Sequence, residues 1–134
     1  MGGFFMLSCY IVSGNAWNFK KIDKDFWELQ EDVMYALVYK EHTLNILVPK
    51  MFKYDLASVP SFFQKILGKK ETLACEAALL HDWIYKTNCV SRKDGDLAFL
   101  KLMERYNNPK SAWKRWAMYR AVRLFGGKPY KNKT

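Results

Sequence analysis

Two short stretches hold residue types that do chemistry where structural economy does not ask for them. "DLASVP" (Asp55 to Pro60) places a carboxylate, a hydroxyl and a proline just after a strand-like run. "LLHDWIY" (Leu79 to Tyr85) places His81 and Asp82 inside an apolar segment. His81 falls in register with Ala74, Ala77, Ala78, Ile84 and Tyr85, the apolar side of a helix. Asp96 does the same in the next segment, in register with Phe99, Leu100 and Met103. A carboxylate on an apolar side is costly without partners, so partners are expected. Arg92 stands one helical turn before Asp96, at the spacing of an ion pair.

Several chemistries fit this constellation. As a structural network, Asp55 would hold the turn, Ser58 would cap the next helix, and His81 would donate to a carbonyl or carboxylate. As a metal site, His81 with Asp55, Asp96 or Asp82 would be acceptable ligands for zinc, manganese or iron. A metal-bound water would then serve hydrolysis, making the enzyme reading a metal-assisted hydrolase. As a nucleophilic site, Ser58, His81 and a carboxylate would act without a G-x-S-x-G elbow. Small-molecule or peptide binding without chemistry is the fourth. The His-Asp pair also follows the order of metal-dependent HD phosphohydrolases, with His42, His81 and Asp82, then Asp94 or Asp96. Those enzymes are all-helical, whereas His42 falls in a predicted hairpin loop, and the analogy stops there.

The elements that must position these residues follow from periodicity. Val33 to Tyr39 has Val33, Tyr35, Leu37 and Tyr39 at period two, and Leu44 to Phe52 repeats it with Leu44, Ile46 and Val48. The polar "KEHT" between them reads as a hairpin loop, and Phe26 to Leu29 as a short strand. After Pro60 the period changes. A short helix is expected from Ser58 or Ser61 to Gly68, a second from about Thr72 to Tyr85, and a third from Ser91 to about Tyr106. Ser91 and Asp94 have capping-box spacing. A fourth helix runs from Ser111 to Gly126 between "NNP" and "GG". Strands first and helices after make an α+β domain, a small antiparallel sheet packed on about four helices.

The chain has 134 residues, half of them hydrophobic and 16% aromatic, which suits one domain over 1–134 and excludes general disorder. The N-terminal "GGFFMLSCYIV" is about half the length of a bilayer span, so no transmembrane segment is expected. It has neither a basic start nor a cleavage site, and reads as a strand or packing segment. Cysteines at 9, 75 and 89 are odd in number and form no C-x-x-C pair. A disulfide framework and a cysteine-rich zinc site are thereby excluded, and a reducing compartment fits.

The net charge of +9 is unevenly placed: from Arg105 onward there are nine Lys or Arg and no acid, while the preceding residues hold thirteen of each sign. Such a balance points to nucleic acid, an anionic membrane surface or an acidic protein as partner. In the last helix, Trp113, Trp116, Ala117, Arg120 and Leu124 recur at helical spacing and are expected to pack in the core. Lys114, Arg115 and Arg123, interleaved with those rings, are the residues that would meet phosphates.

Four blocks now stand in order: "VPKMFKYDLASVP", "AALLHDWIY", "SRKDGDLAFLKLM" and "YRAVRLFGG". Together they resemble the domain-of-unknown-function family 1353, found largely in tailed phages and prophages, over roughly residues 26–127, leaving 128–134 as a basic tail. The family pattern "VP-x-G-F" and "T-D-x-A-S-x-P" is met with Met51 for the glycine and Tyr54 for the threonine, and its Ala-Asp becomes Gly95-Asp96. Position by position, the resemblance picks out Asp55, Ser58, Pro60, His81, Asp82, Tyr85, Arg92 and Asp96, with Tyr85 and Arg92 as binding candidates. It implies a phage origin, a phage or host protein as partner, and a place in the host cytoplasm or the virion. It implies no reaction.

Overall fold

The structure is a computed structural model and describes residues 6–24, 26–55, 75–127 and 130. Strand β1 is Met6–Ser13, β2 Phe19–Lys21, β3 Trp27–Leu29, β4 Val33–Tyr39, β5 Thr43–Val48 and β6 Lys53–Tyr54. Helix α1 is Cys75–Thr87, α2 Arg92–Tyr106 and α3 Ala112–Phe125. The class is α+β, as the order of periodicities requires. In place of one sheet, the described residues form two antiparallel sheets of three strands, ordered β1-β4-β5 and β2-β3-β6. The described residues hold three helices; the expected helix between Ser58 and Gly68 lies outside them.

Strand β4 is central, with Tyr35 opposite Ile11 on one side and Ile46 on the other. Its period-two residues Val33, Tyr35, Leu37 and Tyr39 are all buried, so one face of the sheet meets the helices. The sheet ends at Val48, earlier than the apolar run suggests, because Pro49 has no N–H for a ladder. Two tyrosine hydroxyls fasten this sheet to the helices: Tyr35 donates to the Glu76 carbonyl at 2.6 Å, and Tyr39 to Asp94 Oδ2 at 2.8 Å. The outer edge of β1 is not left open. Arg105 Nε donates to the Cys9 carbonyl at 3.0 Å, and the Ile11 N–H donates to the Tyr106 hydroxyl at 2.9 Å.

Helix α2 starts as expected, with the Ser91 hydroxyl accepting from the Asp94 N–H at 3.1 Å, and ends at Asn107 with φ 52. It packs closely on α1 because Gly95 faces Ile84: a Cβ at Gly95 would lie 2.7 Å from Ile84 Cγ2. That methyl is fixed on a β-branched carbon and cannot swing aside. The Gly95 departure is therefore matched to the isoleucine opposite.

The Met51 departure has the opposite character. Met51 adopts φ 77 in the turn between β5 and β6, its N–H donating to the Leu29 carbonyl at 2.8 Å. Glycine, the residue that the resemblance led one to expect there, takes that conformation freely, whereas a side chain costs about 1–2 kcal/mol. Met51→Gly is expected to raise stability by about 1 kcal/mol in urea unfolding. Gly95→Ala is expected to lower it by about 1–3 kcal/mol, and to lose that cost in an Ile84→Ala background, where the double-mutant cycle removes the clash.

Candidate functional site

The centre of the helical layer is one carboxylate. Asp96 has no solvent exposure and His81 is 1% exposed. His81 and Tyr85 project from α1 one turn apart, Arg92 and Asp96 from α2 at the same spacing, and Arg123 arrives from the last turn of α3. His81 Nε2 lies 2.7 Å from Asp96 Oδ1, and the Tyr85 hydroxyl donates to the same oxygen at 2.5 Å. Arg123 Nη1 donates to Oδ2 at 2.8 Å, and Arg92 Nε stands 3.8 Å from that oxygen. Arg92 Nη2 also donates to the Val122 carbonyl at 2.8 Å and to the Arg123 carbonyl, so it closes the C-terminal end of α3. Gly126 leaves room for this arrangement: a Cβ there would lie 2.5 Å from the Tyr85 hydroxyl.

The protonation states follow. Burial acts to raise the Asp96 carboxyl, but the hydrogen bonds from His81, Tyr85 and Arg123 outweigh it and hold the group below its ordinary value. Burial pushes His81 below its ordinary value, against the pull of Asp96. The imidazole is thus neutral at pH 7 and donates through Nε2–H to the ionised acid. Burial first, then the neighbouring carboxylate, hold the Tyr85 phenol well above its usual range, so it remains a donor. The His81 ring is flanked by Tyr85 at 4.2 Å and Phe99 at 4.6 Å between centroids.

The structure therefore joins His81, Tyr85, Arg92 and Asp96, four of the residues singled out from sequence. Asp55 is not among the partners of Asp96; it follows Tyr54 at the end of β6. Asp82 is buried and faces that side of α1: burial first, then the charges of Cys75 and Asp82, raise the Tyr54 phenol. Ser58 and Pro60 lie outside the described residues. His42 is in the β4–β5 turn, stacked on Tyr39 at 4.9 Å. Among the described residues no group of three His, Cys, Asp or Glu could hold a metal ion. The surroundings of Asp96 do not fit a divalent cation either: both oxygens accept from protein donors, and two guanidinium groups stand beside them. Cys9 and Cys75 are buried thiols, each pushed up to about 12 chiefly by burial, and Cys89 is exposed.

The helix α3 reverses its expected sides. Met118, Ala121 and Val122 face the core, while Trp113, Trp116 and Leu124 are 59%, 54% and 66% exposed. Those three residues form the packed side of α3, and Arg123 reaches Asp96 from the last turn of the helix. Arg115, expected at phosphates, instead donates to Asn107 Oδ1 at 3.1 Å and to the carbonyls of Pro109 and Lys110 at 2.8 and 3.0 Å. Lys114 is half-buried. Arg123 as the partner of Asp96 was not found from the sequence, where it stands with Lys114 and Arg115 as a residue that would meet phosphates.

This is an α+β domain whose helices close on a buried Asp-His-Tyr cluster flanked by the partly exposed Arg92 and Arg123. The model of the family described as "Protein of unknown function (DUF1353)" matches residues 27–122, and the chain belongs to that family. Comparison with curated proteins and with solved structures gives no match.

The cluster makes stability depend on pH in a defined direction. His81 is held below its ordinary value in the fold, so the unfolded chain binds the proton first as pH falls past about 6.5. Its contribution is full above that pH and declines below it. The Asp96 contribution is present above about pH 4 and is lost on further acidification through the depressed folded value. Urea unfolding between pH 8 and 5 is expected to show this decline, and His81→Phe to flatten it. Asp96→Ala, which strands Arg92 and Arg123 without their acid, is expected to cost about 3–5 kcal/mol at pH 7.

Proposed function

We propose that the chain is a phage-encoded accessory or virion-associated protein that works by binding, with α3 as its contact element. In this reading the Asp96 cluster is the internal fastening that presents α3. The observation that carries it is the outward placement of Trp113 and Trp116, 59% and 54% exposed on a helix whose compact residues are buried. Exposed rings of that size mark contact surfaces, since they gain nothing in solvent. The excess of basic residues from Arg105 onward supports an anionic partner, and the family resemblance supports the phage origin and a place in the host cytoplasm or virion.

A hydrolase built on His81 and Asp96 would need one of them to reach a substrate, and their exposure of 1% and 0% speaks against it. The test separates the two surfaces. Trp113→Ser with Trp116→Ser is expected to leave urea stability within about 0.5 kcal/mol while abolishing the growth or assembly phenotype of the phage. Normal growth with that variant overturns the contact reading. Turnover of a phosphoester, peptide or glycan panel that His81→Phe removes without unfolding the chain restores the enzyme. Mass spectrometry of purified particles decides between virion component and accessory protein, and a gene without phage neighbours overturns the origin.

A further inference from the structure

The outward side of α3 has a defined chemistry. Trp113, Trp116, Arg120 and Leu124 share one side of the helix along about 17 Å of its axis, at 1.5 Å per residue. Trp113, Trp116 and Leu124 are exposed, and the Arg120 guanidinium lies over the Trp116 ring, 5.9 Å from its centroid. Along the sequence, the charge that follows Glu104 is only positive: nine Lys or Arg and no acid, Lys114 and Arg120 among them on this helix.

We propose that this side of α3 seats on the surface of an anionic lipid bilayer, with the helix lying in the plane of the interface. The proposal rests on α3 being the contact element and names what it contacts. Three features favour a bilayer over a nucleic-acid strand. Leu124 offers no ring for a base to stack on, and Arg120 covers one face of Trp116, whereas strand binding needs open ring faces. Arg115 and Arg123, interleaved with the rings, are spent on loop carbonyls and on Asp96. Indole rings settle at the headgroup level, where an apolar body and an N–H are both accommodated. Arg120 lays its methylene stem along the apolar side and sends its head to lipid phosphates.

The charge balance selects the lipid: basic groups near a surface gain from anionic headgroups and little from zwitterionic ones. Among the described residues no helix is long and apolar enough to cross a membrane, so the contact is an interfacial one.

Full-length protein sedimented with phosphatidylcholine vesicles, with and without phosphatidylglycerol, tests this. Binding is expected only with phosphatidylglycerol, weaker at high salt, with bromolipids quenching tryptophan fluorescence. Trp113→Ser with Trp116→Ser is expected to cut partitioning at least about tenfold, and Leu124→Ser to reduce it too, with unchanged circular dichroism and melting. Absence of binding to phosphatidylglycerol vesicles, undiminished binding by the variants, or binding of single-stranded oligonucleotide in place of vesicles overturns the bilayer. If vesicles are ignored while the double variant still loses the phage phenotype, the bilayer falls and the contact element stands. If the double variant matches the parent in both assays, both fall.

Discussion

Everything in the helical half of this protein depends on neutralising one buried carboxylate. Asp96 sits at zero exposure, where an unpaired charge would cost several kcal/mol. It is held ionised by donors from all three helices, so none of them can leave without exposing that cost. Helices of 13, 15 and 14 residues are marginal alone in water, and their mutual fastening matters more than their propensities. The close α1–α2 approach at Gly95 and Ile84 sits beside the acid and brings His81 within 2.7 Å of it.

The two arginines explain why the cluster is more than an ion pair. Arg92 divides its guanidinium between the field of Asp96 and the last carbonyls of α3, and Arg123 reaches back from that same helix end. A planar group with several donors meets two demands at once, which a lysine ammonium on a flexible stem does poorly. Gly126 completes the arrangement by leaving space for the Tyr85 hydroxyl, so the sequence near "FGG" is tied to a tyrosine about 40 residues earlier through close packing alone.

How far the sequence discloses this differs between elements. Strand β4 was legible to its end residues because one side of it is uniformly apolar, and α2 because Ser91 and Asp94 announce its start. His81 and Asp96 were legible as polar residues on apolar sides, and Arg92 as the in-helix partner. Arg123 was not, since pairing across 27 residues depends on how α3 docks. Strands β2 and β6, of three and two residues, are too short for a period to register, so the second sheet went unseen. On α3 the sequence reading assigned the large rings to the core; burial instead followed fit, with Met118, Ala121 and Val122 inside.

That last reversal joins the two halves of the molecule. A chain with exposed tryptophans on its most basic helix keeps a surface liable to stick, and it must hold that helix in one orientation if the liability is to be specific. The rings gain stability from no described contact with the core, whereas Arg123, two turns after Trp116 on the same side of the helix, reaches round from the last turn to Asp96. The packed side of Met118, Ala121 and Val122 therefore sets the rotation of α3 about its own axis, and the buried charge anchors its last turn. The exposed rings are thus the reverse of the side that packs, and the carboxylate inside holds the helix end that keeps that side in place.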